Sequence, residues 1–229
     1  MSLQRLLGAK LPTPPQGLLF DLDGTLLDSV PDLAAAIDRM LIDLGYRAVG
    51  REHVAGWVGD GARQLVFEAL SFFESYVADK RIEHALQIYQ RHYGNCLTAN
   101  SRLFPGVHEA LQRWQRQEMH MACVTNKGAQ FTEPLIDHFD LRALLPVVIS
   151  GDTLSQRKPD PAPLLEACVR LGIQPQHVVM IGDSRNDVLA ARAANMPVIC
   201  VRHGYNHGRP IEDENPDSIV DSLLDLIFS

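Results

Sequence analysis

Gly17-Leu18-Leu19-Phe20, followed by Asp21-Leu22-Asp23-Gly24-Thr25, is the stretch of sequence that decides the fold. The first four residues form a short apolar run, which is typical of a buried strand. In an extended backbone Asp21 and Asp23 alternate with Leu22, so both carboxylates point to one side where the strand ends. Two carboxylates this close repel each other unless a cation lies between them or one is protonated. Alone, the pair is more simply a polar turn, so its meaning depends on the rest of the chain.

Composition excludes several classes of protein. A chain of 229 residues with 46% hydrophobic and 21% charged residues is typical of a globular enzyme. The net charge of −7 argues against nucleic acid as a partner, and an anionic substrate then needs local positive charge or a metal. The four cysteines lack zinc-site spacing, and no apolar run reaches membrane-spanning length. Met1 to Lys10 is too weakly apolar for a secretory signal, so we expect a loose leader and a cytoplasmic location.

Downstream patterns predict strands that alternate with helices. Strands are expected at 119–124, 146–150, 177–181 and 198–201. Helices are expected at 31–44, 104–117, 130–138, 161–171, 185–194 and 218–227. Between Gly45 and Asn100 the patterns are helical only, at 53–58, 62–73 and 79–95. The sequence therefore predicts an α/β fold: a doubly wound, Rossmann-like parallel-sheet core (1–28 and 101–229) with an inserted all-helical cap (29–100).

Further polar residues follow the later predicted strands. Thr125-Asn126 ends one strand, Asp183 ends another, and Asp187 lies one helical turn later. Ligands gather beyond the carboxyl ends of parallel strands, so these side chains are expected beside Asp21. Such an acidic cluster is too negative to stay unpaired, and Mg²⁺, a hard dication that prefers oxygen ligands, would relieve the repulsion.

Two further groups suit an anionic substrate. Thr125 offers a hydroxyl and N–H donors at a helix start, where phosphate oxygens bind readily. Lys158, in the loop before the helix at 161–171, supplies a point charge for phosphate or for a carboxylate. Each group alone has an ordinary structural explanation, but their conjunction at successive strand ends indicates a phosphate-handling site.

Four motifs in order resemble those of the haloacid dehalogenase superfamily. They are Asp21-Leu22-Asp23-Gly24-Thr25, Thr125-Asn126, Lys158-Pro159 and Gly182-Asp183-Ser184-Arg185-Asn186-Asp187. The resemblance covers nearly the whole chain, because the block at 29–100 resembles the small helical cap of that superfamily. Within it, the chain is most similar to phosphoglycolate phosphatases, through the segments 28–33, 57–62, 104–107 and 186–194. Asp60 is a departure, since those enzymes commonly have asparagine there.

The resemblance implies roles for the acidic residues. Asp21 would attack phosphorus and form an aspartyl-phosphate, and Asp23 would protonate the leaving group and later deprotonate water. The metal ligands would be a carboxylate oxygen of Asp21, the backbone carbonyl of Asp23 and the carboxylate of Asp183. Asp187 would be an auxiliary ligand.

The resemblance also implies substrate contacts. The phosphoryl oxygens would bind Thr125, Asn126 and Lys158, and a cap loop with Gly59, Asp60 and Gly61 would face the substrate. Arg63 is a candidate partner for a substrate carboxylate, although a surface charge on a helix is the simpler interpretation. His203 and His207 are interpreted as belonging to an ordinary loop.

These roles imply a Mg²⁺-dependent phosphomonoesterase that acts on a small phosphorylated metabolite, 2-phosphoglycolate. The same residues would serve a phosphatase acting on a sugar phosphate, such as an amino-sugar acid phosphate, or a phosphomutase. A dehalogenase is disfavoured because it needs no leaving-group acid such as Asp23. An inert binding module is disfavoured by the intact set of reactive residues. Monomer and homodimer both stay open.

Overall fold

The computed structural model describes residues 14–226, which are built around a parallel six-stranded sheet with the strand order β5-β4-β1-β6-β7-β8. A separate antiparallel pair joins β2 to β3. The strands are β1 (Gly17–Phe20), β2 (Leu27–Asp28), β3 (Arg102–Leu103), β4 (His120–Val124), β5 (Val147–Ile149), β6 (Val178–Gly182), β7 (Val198–Val201) and β8 (Ser218–Val220).

Helices connect the strands and cover the sheet. They are α1 (Val30–Asp43), α2 (Arg51–Ala55), α3 (Ala62–Ser71), α4 (Asp79–Cys96), α5 (Val107–Arg116), α6 (Ala129–His138), α7 (Ala162–Leu171) and α8 (Arg185–Ala193). Two hydrophobic clusters, one containing Phe20 and Trp114 and the other Leu19 and Met180, pack on the strands. Since successive side chains of β1 point to opposite faces, these clusters cover the two sides of the sheet. No described helix is long and apolar enough to cross a membrane.

β1 lies in the middle of the sheet because it is apolar on both faces. All four of its residues are buried, and it pairs in parallel with β4 on one side and with β6 on the other. The chain runs from β1 to β4 and β5, then returns to β6 on the opposite side. The strand order therefore reverses at β1, and the crevice beyond its carboxyl end is where such sheets bind ligands.

The four helices between β2 and β3 form the helical insert (residues 30–96), in which the described structure contains no strand. It has a hydrophobic cluster of its own, built around residues such as Ile37, Val66, Tyr89 and Tyr93. The paired strands β2 and β3, with Leu27 opposite Leu103, stand where the chain leaves the sheet and returns. The sequence pattern missed this pair because two residues are too few to show a period.

The predicted fold class is confirmed, and most predicted elements lie within a few residues of the observed ones. The predicted helix at 218–227 is wrong. Ser218–Val220 instead forms β8, which pairs with β7, and Leu223–Leu226 forms a 3-10 turn. The pairing of Ile219 and Val220 with a buried neighbour strand outweighs the helical spacing. The leader at Met1 to Lys10 and the last residue of the predicted helix lie outside the described residues.

Candidate active site

Asp21 lies directly beyond β1, in the crevice. Its backbone N–H donates to the carbonyl of Ile181 at 3.0 Å, which extends the ladder with β6 by one residue. Its Oδ1 accepts the N–H of Leu22 at 2.7 Å and the ammonium of Lys158 at 3.0 Å. Burial raises the pKa of Asp21 to about 7, although Lys158 lowers it. A buried carboxylate whose negative charge is only partly offset by a neighbouring cation is typical of a reactive group.

Lys158 is the fixed cation beneath Asp21. Its ammonium lies 3.0 Å from Asp21, 2.7 Å from Oδ1 of Asp187 and 2.7 Å from the carbonyl oxygen of Val124. These contacts use all three of its N–H donors. Burial lowers the pKa of Lys158, but the carboxylates of Asp187 and Asp21 outweigh it and raise the pKa above its ordinary value. Lys158 is therefore a permanent, immobile positive charge.

Asp183 directly follows β6, Asp187 lies in the first turn of α8, and the two join Asp21 in a buried acidic triad. One carboxylate oxygen from each lies within 4.8 Å of the others. Burial, followed by the charges of Asp187 and Asp21, raises the pKa of Asp183 well above its ordinary value. Gly204 has no side chain to collide with Asp183, and a Cβ there would overlap that carboxylate.

The triad is suited to hold a hard divalent cation. Asp183 accepts the hydroxyl of Thr25 on Oδ1 and the N–H of Tyr205 on Oδ2, both at 2.8 Å, which leaves a lone pair on each oxygen. Among the described residues, no hydrogen bond or ion pair involves Oδ2 of Asp21. Asp187 is the most engaged: Oδ2 closes a capping box with Ser184 at the start of α8, while Oδ1 holds Lys158. Oxygen donors and excess negative charge are what Mg²⁺ requires.

Asp23 points toward a different set of partners from Asp21. Its Oδ1 accepts the hydroxyl of Ser29 at 2.5 Å, and its Oδ2 lies 3.0 Å from the ammonium of Lys127. Lys127 also donates to the hydroxyl of Tyr93 at 2.9 Å and lies over its ring. Sequence reasoning missed Lys127, although its position directly after Thr125-Asn126 at a strand end was a usable signal.

Thr125 and Asn126 lie side by side in the turn between β4 and α6. The hydroxyl of Thr125 accepts the N–H of Lys127 at 3.3 Å. The amide of Asn126 donates to the carbonyls of Gly59 and Lys158, each at 2.9 Å, so it joins the helical insert to the Lys158 loop. Its Oδ1 is buried and has no hydrogen-bond partner among the described residues. An unpaired buried acceptor in this position is suited to a donor from a bound molecule.

The helical insert closes the crevice into a cavity of about 50 Å³. Polar groups line its floor, while its roof is largely apolar. Its lining residues are Asp21, Asp23, Leu33, Val58, Gly59, Gly61, Ala62, Leu65, Tyr89, Tyr93, Thr125, Asn126, Lys127, Gly128 and Phe131. A cavity of this size holds a few water molecules, so it suits a small substrate.

Two residues predicted to contact substrate point elsewhere. Asp60 accepts the amide of Asn186 at 2.7 Å and lies 3.9 Å from His207, in a second, polar pocket. Arg63 pairs with Asp79 and Glu83 on the surface of the insert. Neither side chain lines the cavity, so the geometry lends no support to a substrate contact by either.

The two loop histidines have separate surroundings. The ring of His203 packs against that of Phe104 with a tilt of 34° and 3.9 Å between the ring centroids, whereas His207 lies near Asp60 and Gly59. Within residues 14–226 the only group of potential metal ligands is the acidic triad, which contains no histidine. The interpretation as an ordinary loop stays a prediction.

Comparison with known proteins adds independent findings. The family model for haloacid dehalogenase-like hydrolases matches residues 18–201. A phosphoglycolate phosphatase of Thiobacillus denitrificans is 43% identical over 215 residues, covering 93% of this chain and 95% of that protein. One of Nitrosococcus oceani is 44% identical over 213 residues, again covering 93% and 95%. A crystal structure described as a predicted phosphoglycolate phosphatase from Haemophilus somnus superposes with a TM-score of 0.89 at 32% identity, covering 94% and 97% of the two chains.

Proposed function

The chain belongs to the haloacid dehalogenase-like hydrolase family, and from this premise we propose that it hydrolyses 2-phosphoglycolate to glycolate and phosphate. One observation carries the choice of phosphate chemistry. Asp21 has one carboxylate oxygen without a partner among the described residues, it pairs with the buried ammonium of Lys158, and it is a member of the acidic triad. The named relatives and the small cavity support the choice of substrate.

The reaction starts with attack by Asp21. An oxygen lone pair of its carboxylate forms a bond to phosphorus, and the bond between phosphorus and the glycolate oxygen breaks. Lys158 contacts Oδ1 of Asp21 and holds the carboxylate in place in the cavity. The N–H of Thr125 donates to the carbonyl of Ile149, so the Thr125 group proposed to bind the phosphoryl oxygens is its hydroxyl, which lines the cavity.

Asp23 handles the proton. It donates a proton to the departing glycolate oxygen, and it later takes one from the water that attacks the aspartyl-phosphate. Water attack releases phosphate and restores the Asp21 carboxylate, so the cycle consumes one water for each substrate. Ser29 and Lys127 hold the Asp23 carboxyl group in place at the edge of the cavity.

We propose Mg²⁺ as the cation of the acidic triad. Asp21 and Asp183 would hold it through their carboxylates and Asp23 through its backbone carbonyl. Asp187, whose two oxygens already hold Lys158 and the start of α8, would act from the second layer. Bound Mg²⁺ supplies positive charge that offsets the charge developing on the phosphoryl oxygens.

We further propose that residues 29–100 act as a cap over a core made of 1–28 and 101–229. The contact of Asn126 with Gly59 supports this division, because it joins the insert to the catalytic turn. Closure over the cavity would exclude bulk water during transfer. The cytoplasmic location stays a prediction.

A Mg²⁺-dependent phosphate-release screen tests the proposed function. The panel contains 2-phosphoglycolate, hexose phosphates and an amino-sugar acid phosphate, and kcat/KM is compared across it. We expect 2-phosphoglycolate to give the highest value, because the relatives that are 43% and 44% identical over most of the chain are phosphoglycolate phosphatases. A higher value for a sugar phosphate, or a phosphorylated isomer as product instead of free phosphate, would contradict the proposal.

A further inference from the structure

Lys127 is a second buried ammonium in the site, beside the one that holds the nucleophile. Its side chain is only 6% exposed, yet it lines the cavity. It pairs with Asp23 at 3.0 Å and donates to Tyr93 at 2.9 Å. Burying an ammonium carries a desolvation penalty, which is offset only when negatively charged or hydrogen-bonding partners surround the group.

The charge of the proposed substrate exceeds what the phosphate-binding groups offset. Besides its phosphate, 2-phosphoglycolate carries a carboxylate one carbon away from the ester oxygen. Lys158 has no donor left for that carboxylate, since its three N–H groups already contact Asp21, Asp187 and the carbonyl oxygen of Val124. The surface residue Arg63 is committed to Asp79 and Glu83. A carboxylate placed in this cavity without a cation or hydrogen-bond donor beside it would pay a desolvation cost.

Lys127 is the only cationic side chain among the described residues that line the cavity. An ammonium has three donors, and the described contacts with Asp23 and Tyr93 use two of them. The apolar part of the lining includes Leu33, Leu65 and Phe131, whose side chains cannot donate a hydrogen bond to a carboxylate or offset its charge.

We propose that Lys127 binds the carboxylate of the substrate and thereby makes the enzyme selective for phosphorylated acids. This inference rests on the proposed function. The hydroxyl of Tyr93 orients the ammonium, and its ring, 4.7 Å away, supports the positive charge from below. Lys127 also contacts Asp23, so one side chain joins the proposed acid to the group that distinguishes the substrate.

The competing explanation is that Lys127 only supports Asp23. In that case its loss slows proton transfer for every phosphate ester and lowers kcat. A carboxylate-binding lysine acts equally in the ground and transition states, so its loss raises KM, and only for substrates that carry the carboxylate.

The test compares 2-phosphoglycolate with its neutral amide, in which a carboxamide replaces the carboxylate. We expect Lys127→Met, which keeps the length of the side chain, to lower kcat/KM for 2-phosphoglycolate by about 10- to 100-fold, mainly through KM. For the amide kcat/KM should fall by clearly less than for 2-phosphoglycolate, and the loss common to both substrates measures the contact of Lys127 with Asp23. Lys127→Arg keeps the charge and should retain more of the selectivity than Lys127→Met. Lys80→Met, on the exposed surface of α4, is the matched control.

The outcomes separate the two proposals. If the wild-type protein does not prefer 2-phosphoglycolate over the amide, both the proposed substrate and this inference are contradicted. A different outcome is that the wild-type protein prefers 2-phosphoglycolate while Lys127→Met lowers kcat/KM for both substrates by the same factor, or for neither. In that case only the inference on Lys127 is wrong. Should Lys127→Met fail to fold, Lys127→Gln, which keeps a polar side chain but removes the charge, takes its place, and an unchanged ratio of the two kcat/KM values together with a reduced kcat would indicate support of Asp23 alone.

Discussion

At the scale of single residues, two aspartates only two positions apart have different surroundings. Asp21 is held through one oxygen by Lys158 and by the N–H of Leu22. Asp23 is held through both oxygens, by Ser29 and by Lys127. The alternation of an extended strand end brings both to the cavity, but the neighbours from other elements decide which oxygen is available. These contacts support the division of labour in which Asp21 is the nucleophile.

Replacing the proposed nucleophile should abolish turnover without unfolding the protein. Asp21→Asn removes the attacking lone pair but keeps the shape of the side chain, so kcat should fall at least about 10³-fold. Because burial disfavours the charged form of Asp21, whose pKa is raised to about 7, the neutral amide should not lower the melting temperature at pH 8. Steady-state phosphate release and a thermal melt measure both effects.

Asp137→Asn, the same chemical change on the exposed surface of α6, is the control and should leave activity unchanged. Substantial turnover by Asp21→Asn would remove the nucleophile assignment.

At the scale of elements, one buried carboxylate joins the two ends of the helical insert. Asp32, in the first turn of α1, accepts the backbone N–H groups of Asn100 and Ser101 and both of their side chains, at 2.7 to 3.0 Å. Burial raises the pKa of Asp32, but the hydrogen bonds from Ser101 and Asn100 outweigh it and lower the pKa below its ordinary value. The outgoing and returning chains therefore meet at a charge-assisted contact beside β2 and β3.

Asp32→Asn should destabilise the fold in a pH-dependent way. The lowered pKa of Asp32 means that its contribution is fully present above the unfolded-state value of about 3.9 and is lost as the pH falls through the folded-state value. At pH 7 the free energy of unfolding should fall by about 2 kcal/mol. Urea unfolding at pH 7 and again near pH 3 measures the difference, which should shrink at the lower pH. A difference that is the same at both pH values would show that the charge of Asp32 is not involved.

At the scale of the whole molecule, the site concentrates negative charge in a chain that is already acidic. The net charge is −7, and three of the carboxylates that contribute to it, those of the triad, have oxygen atoms within 4.8 Å of one another. Lys158 is the only cation in contact with the triad among the described residues. Burial and mutual repulsion raise the pKa values of both Asp21 and Asp183, so protons and a divalent cation compete for the same oxygens.

Divalent cations should therefore stabilise the protein more at high pH. Without a cation, the folded state binds more protons than the unfolded state, so stability falls as the pH rises from about 3.9 through about 7. Mg²⁺ at a hundred times its dissociation constant adds about 2.7 kcal/mol, and the melting temperature rises by about 5 to 10 °C. Thermal melts with Mg²⁺ or with a chelator, at pH 8 and at pH 5, test this.

The shift should be smaller at pH 5 and nearly absent in Asp183→Asn. An equal shift in that variant would mean that the cation binds outside the triad.

Local patterns predicted the elements of the sheet and failed where pairing partners decide the structure. The apolar runs before Asp21, Thr125 and Asp183 are strands because each buries both faces, and burial is encoded in the run itself. The segment at 218–227 has helical spacing, but it lies beside β7 and pairs with it. No local pattern contains that neighbour, so the edge strand could not be predicted.

The sequence by itself determined the fold class and the four motifs, and it predicted that Asp21, Lys158 and the other members of the acidic triad lie together, since strand ends meet at one edge of a parallel sheet. Only the tertiary structure decided which side chains line the cavity. It placed Lys127 beside Asp23 and Tyr93, and it turned Asp60 and Arg63 toward partners outside the cavity. The reason is physical: the direction of a side chain beyond its own strand or helix is set by contacts from distant segments, here the helical insert closing on the sheet.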